Sequence, residues 1–263
     1  MTFIDSHAHI NDPAFDGDRA AVIAAAWAAG LSHILEIGCE PDEWQPALDL
    51  AAKYPGKIYP VCGMHPIMAK DFAPRHLAEL KEFLDKPLVC AVGEIGLDYA
   101  YEHSTPIPVQ QEVFGQMLVL GEKVKKPLVL HCRKAPAEGD WRAYDDLFAM
   151  LGKGSYAGGV MHCFSGRYED AAKALDMGFL IGVTGIVGYK KNTDLRETFK
   201  KVGLKYLMVE TDCPYLPPQS LRGKRNEPSF IPQIAADLAV ALGEPLGRVA
   251  DITTQNCRDL FKI

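Results

Sequence analysis

Four of the eight histidines stand at the ends of predicted strands. His7 and His9 follow "TFIDS", His131 closes "PLVLH" and His162 closes "GGVMH". The His7-x-His9 spacing has the period of two that puts alternate side chains of an extended segment on one face. Glu94 ends "CAVGE" and Asp212 follows "LMVET". Imidazole with carboxylate is the donor set for Zn²⁺, Mn²⁺ or Fe²⁺, better than for the all-oxygen shells of Mg²⁺ or Ca²⁺. Six such groups exceed the needs of one tetrahedral ion, so the pattern predicts two divalent ions sharing a bridging carboxylate. Any one of these histidines alone would read as a hydrogen-bonded structural residue; together with two carboxylates they read as a site. Cys132, Cys163 and Cys213 each follow one of these ligands directly, and alternation predicts that they turn away as small buried hydrophobes. His33 and His76 fall within a strand and a helix and carry no predicted site role. His103 lies in the loop after the fourth strand and is expected to face solvent.

Ligands so far apart in sequence need a scaffold that gathers strand ends. Eight short β-rich runs alternate with longer helical patterns: Thr2–Ser6, His33–Ile37, Ile58–Cys62, Leu88–Gly93, Leu128–His131, Gly159–His162, Phe179–Val183 and Tyr206–Glu210. Their apolar runs are bounded by Gly, Pro or polar residues, as in strands buried on both faces. Pro41 and Pro74 mark first turns of helices, and Asp42 and Glu43 suit the positive end of a helix dipole. Eight strands with intervening helices predict an α/β chain folded as one (β/α)8 barrel over residues 1–263, with the ligands on the rim at the C-terminal strand ends. A doubly wound open sheet is the runner-up. It lacks support because "SHAHINDPAF" occupies the place of a Gly-rich dinucleotide turn.

Composition narrows the function classes. The chain has 263 residues, 48% hydrophobic and 24% charged, which excludes disordered, coiled-coil and collagen-like classes. Its longest apolar run, Ala20–Leu31, is 12 residues, short of the roughly 20 that span a bilayer. Asp5, His7 and His9 interrupt any signal-peptide pattern, and seven scattered cysteines without CxxC point to a reducing cytoplasm. Against 34 acidic residues stand 28 Lys and Arg, a net charge of −6 that disfavours coating a long duplex. A local basic rim is still expected: Arg133 and Lys134 after strand 5, Arg167 after strand 6, Lys190 and Lys191 after strand 7, and Arg222, Lys224 and Arg225 after strand 8.

The segments "DSHAHI", "GMHP", "GEIGLDY", "PLVLHCR", "HCFSG", "ETDCPYL", "RGKRNEP" and "TTQNCRDLF" occur in this order along the chain. They closely resemble the TatD family of metal-dependent deoxyribonucleases over essentially its whole length. The resemblance implies a TIM barrel with a divalent-metal site and nuclease activity, including 3′→5′ exonuclease action. By position it implies His7 and His9 on one metal, Glu94 as the bridge, and His131 and His162 on the second. Two ions follow, with Zn, Mn or Mg as candidates. Asp212 resembles the carboxylate that binds metal and the attacking water, which gives Asp212 and Glu94 the catalytic roles. His65, Arg133 and Arg225 match family positions near the substrate, and the two arginines suit bidentate phosphate contact. Asp5 and Asp98 are candidates to orient a ligand imidazole, or else simple strand-end caps. Ala8 departs from the Cys of many members, and "STPIPVQQ" after Tyr101 is individual to this chain. The implied substrate is single-stranded DNA or a nucleic-acid end, with no membrane and no obligate protein partner. Two other hydrolytic readings use the same residues: an amidohydrolase-like enzyme cleaving an ester or C–N bond, and a D-aminoacyl-tRNA deacylase. A non-catalytic barrel is disfavoured, because such relatives lose ligands and none is missing here.

Overall fold

In the computed structural model, which describes residues 1–137 and 139–263, the β-rich runs become eight strands. They are β1 (Phe3–Ala8), β2 (Leu31–Gly38), β3 (Ile58–Cys62), β4 (Ala91–Asp98), β5 (Leu128–Arg133), β6 (Gly159–Met161), β7 (Phe179–Val183) and β8 (Leu207–Val209). Neighbours in sequence pair in parallel throughout, in the order β1 to β8. Nine α-helices are described: α1 (Arg19–Ala28), α2 (Pro41–Lys53), α3 (Pro74–Leu84), α4 (Ile107–Val124), α5 (Arg142–Leu151), α6 (Tyr168–Asp176), α7 (Thr193–Val202), α8 (Ile231–Leu242) and α9 (Leu246–Phe261). No helix among the described residues is long and apolar enough to cross a membrane.

The β8–β1 seam closes the barrel through backbone and side chains. The Asp212 N–H donates to the His7 carbonyl at 2.9 Å and the His9 N–H to the Cys213 carbonyl at 3.0 Å. Ser6 Oγ donates to the Val209 carbonyl at 3.1 Å. Asp5, fully buried, accepts from the Thr211 N–H at 2.9 Å and the Thr211 hydroxyl at 2.6 Å. Its contacts are to Thr211 and to the His7 backbone, so it straps the seam and does not orient an imidazole.

Inside the barrel, Ile4, Ala91, Val129, Val160 and Met208 join Leu35 and Val61 in one apolar cluster, which Cys257 and Phe261 of α9 complete. Each of the first five lies two to four residues before the ligand of its own strand, so a packed apolar layer forms the floor of the site. Burying a side chain of this size stabilises by about 1.5–3 kcal/mol. A larger cluster fills the space between strands and helices, with Trp44, Phe114, Leu147, Phe199 and Leu238 among its members.

Two irregularities aim the ligands. Strict alternation from inward Ile4 would turn Ala8 inward and His7 outward, yet Ala8 packs in the outer cluster. A register shift between Asp5 and Ala8 reverses the faces. In β4 the shift lies between Val92 and Ile95 and does the same for Glu94. The fourth strand also runs to Asp98, beyond the expected end at Gly93, so Glu94 lies within it. Gly96 makes the extension possible: its φ of +146° is open to glycine, and a Cβ there would overlap the His131 carbonyl.

Candidate metal centre

The six expected ligands converge. His7 Nε2 lies 3.1 Å from Glu94 Oε2, 3.2 Å from His9 Nε2 and 3.8 Å from Asp212 Oδ1. His9 Nε2 lies 3.4 Å from Asp212 Oδ1 and 3.9 Å from Glu94 Oε2. Four atoms bonded at about 2.0–2.2 Å to one tetrahedral ion stand about 3.3–3.6 Å apart. The five distances, 3.1–3.9 Å, come close to five of the six edges of such a tetrahedron. The donor set therefore fits one divalent ion held by His7, His9, Glu94 and Asp212.

A second group shares Glu94. His131 Nδ1 lies 2.6 Å from Glu94 Oε1, and His65 Nε2 lies 3.3 Å from His131 Nδ1 and 3.6 Å from Glu94 Oε1. His162 Nε2 lies 3.7 Å from Glu94 Oε1 and 3.5 Å from Asp212 Oδ1, with its ring stacked on His7 at 3.4 Å. His162 thus stands between the two groups. His65, expected only near the substrate, is within ligand reach. Its Nδ1 accepts from the Ile67 N–H at 3.2 Å, which fixes the ring and, in the neutral imidazole, puts the proton on Nε2, the nitrogen that faces Glu94 Oε1.

Buried carboxylates behind the imidazoles set their orientation. Asp98 Oδ2 lies 2.9 Å from His131 Nε2, while Oδ1 accepts from the Ala100 N–H at 3.0 Å. Glu210 Oε1 lies 2.9 Å from His162 Nδ1, a charge contact without an aligned hydrogen bond, and accepts from the Cys163 N–H at 2.6 Å. Gly182 leaves room for this carboxylate, since a Cβ there would overlap it. Glu210 did not emerge from the sequence reading, although it stands two residues before Asp212 in "ETD". Its alternation with Met208, which faces the barrel interior, was the available signal.

Electrostatics hold the centre as a charged network. Burial opposes charge on Glu94, but facing imidazoles, His162 first, keep its carboxyl well below the usual range. Asp212 is depressed in the same way, by His162 and by a hydrogen bond to His9. Burial likewise opposes charge on His9 and His131, yet Asp212 raises the first to about 9, and Asp98 with Glu94 raises the second to about 9. Burial and the His131 charge push His65 down to about 3. Burial and His162 also lower His7.

Asp212 and Cys163 occupy the left-handed region, with φ of 57° and 44°. Backbone strain of this kind clusters at functional sites. It also overturns the expectation for Cys163: its Sγ is within 4.8 Å of the ligand atoms of His162 and Asp212. Cys132 and Cys213 lie in the outer core, as expected. Cys39, at the end of β2, places Sγ 3.8 Å from Glu94 Oε2.

The basic residues divide. Arg133 is exposed, with its guanidinium 5.5 Å over the Tyr101 ring. Arg225 is not brought into the centre: Asp18 takes its guanidinium at 2.7 and 2.9 Å and Glu227 at 3.0 Å. Arg167 pairs with Asp170 at 2.9 Å. Lys134, Lys190, Lys191, Arg222 and Lys224 have no ion pair among the described residues, so the rim is sparser in free charge than its eight cations suggest. His33 bonds Ser32, His76 accepts from the Ala73 N–H, and His103 stacks on Tyr101; none reaches the centre.

Comparison with known proteins matches this geometry. The family model of TatD-related DNases covers residues 4–262. A metal-dependent hydrolase of Bacillus subtilis, YabD, is 35% identical, with 98% of each chain covered. The 3′-5′ ssDNA/RNA exonuclease TatD of Edwardsiella piscicida is 34% identical, with 99% of each covered. Among solved structures, the TatD homologue YjjV of Escherichia coli superimposes with a TM-score of 0.90 at 30% identity, covering 99% of this chain and 98% of the other. The chain belongs to the family of TatD-related, metal-dependent DNases.

Proposed function

We propose that the centre hydrolyses phosphodiester bonds at the ends of single-stranded DNA or RNA, in the 3′→5′ direction, with two divalent ions. The observation that carries the reading is the pair of ligand groups built on one carboxylate, Glu94. Oε2 faces His7 and His9, and Oε1 faces His131, His65 and His162. His7, His9, Glu94 and Asp212 would hold one ion; Glu94, His131 and His162 the other, with His65 beside them. When bound, such cations supply a water acidified to about pKa 7 and neutralise charge on the phosphate.

The chain's own groups do the rest. All three imidazole contacts of Asp212 fall on Oδ1, so Oδ2 is left to accept the proton of the attacking water. An aspartate carboxyl is ionised across neutral pH, as a proton acceptor must be. Asp98 fixes the ring of His131 through its hydrogen bond, so that ligand nitrogen does not swing as substrate enters, and the Glu210 carboxylate lies behind His162 as a charge partner. Arg133, exposed two residues beyond His131, would bind a non-bridging phosphate oxygen. Seven free cysteines support a reducing compartment such as the cytoplasm.

The test is parallel digestion of end-labelled single-stranded DNA, RNA and D-aminoacyl-tRNA by the protein and by His7→Ala and Asp212→Ala. Metal-dependent loss of nucleotides from the 3′ end of DNA or RNA, abolished in both variants, is expected. Deacylation without nucleolysis, or undiminished cleavage by Asp212→Ala, contradicts the reading.

A further inference from the structure

The exposed aromatic side chains of this protein are not scattered. Among the described residues, the only exposed large aromatics are Tyr101, Tyr168 and Tyr215, at 37%, 38% and 54%. They come within seven residues of the ends of β4, β6 and β8, on the face that carries the metal centre. Two of them are already covered. The Arg133 guanidinium lies over Tyr101, which also stacks on His103, and the Lys201 ammonium lies 5.2 Å over Tyr168. Tyr215 is the most exposed of the three, and among the described residues no cation lies over its ring.

Tyr215 is also the one beside the ligands. Its ring centroid lies 6.1 Å from that of His9, with the rings at 69°. Its backbone N–H donates to the Asp212 carbonyl at 2.9 Å, and its own carbonyl accepts from the Asn226 amide at 2.6 Å. The hydroxyl reaches Asp12 at 3.2 Å, away from the ligand atoms. Both ends of the side chain are therefore held while more than half of it faces solvent. A fixed, amphipathic ring at the edge of a phosphate-processing centre has little entropy left to lose when a flat apolar group stacks on it.

We infer that Tyr215 is a stacking platform for the nucleobase next to the scissile phosphate. This rests on the nuclease reading. Every base offers a π-face, so such a platform accepts any sequence but requires a base that is free of its own duplex stack. It therefore favours single strands and frayed ends, and it supplies grip without the basic surplus that this acidic chain lacks.

The experiment compares two substrates: a single-stranded oligonucleotide and the base-free diester bis(p-nitrophenyl) phosphate. The readout is the ratio of their kcat/KM values for the protein, Tyr215→Ala, Tyr215→Phe and Tyr215→Trp. Base–aromatic stacking contributes about 1–3 kcal/mol per base, which corresponds to a fall in the ratio of about 5- to 150-fold in Tyr215→Ala. Phe and Trp are expected to restore the ratio to within about threefold, which a merely structural tyrosine would not do. A ratio unchanged in Tyr215→Ala, with the variant folded and active on both substrates, overturns the inference while the nuclease reading stands. A protein inert towards both substrates with Mn²⁺ or Zn²⁺ overturns the nuclease reading and the inference with it.

Discussion

Asp98→Ala isolates one ligand of the second ion without touching the first. Asp98 is fully buried, 2.9 Å from His131 Nε2, and has no contact with His7, His9 or Asp212. Partners that orient a ligand histidine typically contribute 10- to 100-fold to metal affinity, or about 1.4–2.7 kcal/mol. A proton effect works in the opposite direction. Asp98 helps to raise His131 to about 9, so at pH 7 an incoming ion displaces a proton that Asp98 helps to hold. Removing Asp98 relieves part of that competition. At pH 9 the competition has largely gone, and the loss of orientation is left alone. Calorimetric titration of metal-stripped protein with Mn²⁺ should therefore show the second affinity falling 10- to 100-fold at pH 9 and less at pH 7. The first affinity should stay within about threefold at both. Asp98→Asn, which keeps an oxygen for the Ala100 N–H, should lose less. Equal weakening of both sites, or no change in a folded variant, would refute the reasoning.

Glu94→Gln should remove both ions at once, because among the described residues no other side chain contacts both ligand groups through separate oxygens; metal analysis reading one ion per chain would contradict the bridge. Gly96→Ala should destabilise by more than about 2 kcal/mol, since the new Cβ meets the His131 carbonyl at a backbone angle open only to glycine. Thermal melting checks this, with a fall of about 4 °C or more expected. Glu36 is buried, and burial raises it to about 7 from 4.5, against the amide hydrogen bonds of Ile10 and Asn11. Between those pH values the folded chain holds a proton that the unfolded chain has released, so metal-free stability falls as pH rises from about 4.5 to 7. Glu36→Gln should flatten that slope in urea unfolding; a variant with the same slope as the parent would exclude Glu36 as its source.

The barrel and the convergence of the six candidate ligands are legible in the sequence because both depend on periodic signals. Apolar runs of strand length recur between helical patterns, and each ligand sits where a run ends. Less legible was everything that depends on a break in the period. Glu94 reaches the mouth through a register shift inside β4, a strand that continues past its expected end because Gly96 admits close approach to β5. Cys163 faces the ligands through a left-handed backbone. His65 comes from the segment after β3, whose path no local pattern sets, and it arrives beside His131. Arg225 is expected in the basic rim near the substrate, and its guanidinium pairs with Asp18, 207 residues away in sequence. Long-range ion pairs of that kind leave no local signature.

The centre is expected to work only with its ions bound. The direct measurement is the rate of 3′-end shortening of a labelled single-stranded oligonucleotide by one protein preparation, first stripped with chelator and dialysed, then titrated with Mn²⁺ or Zn²⁺. Shortening should be absent from the stripped protein and should rise until about two ions per chain are bound. Stripped protein that shortens the strand as fast as the reloaded sample would contradict the account.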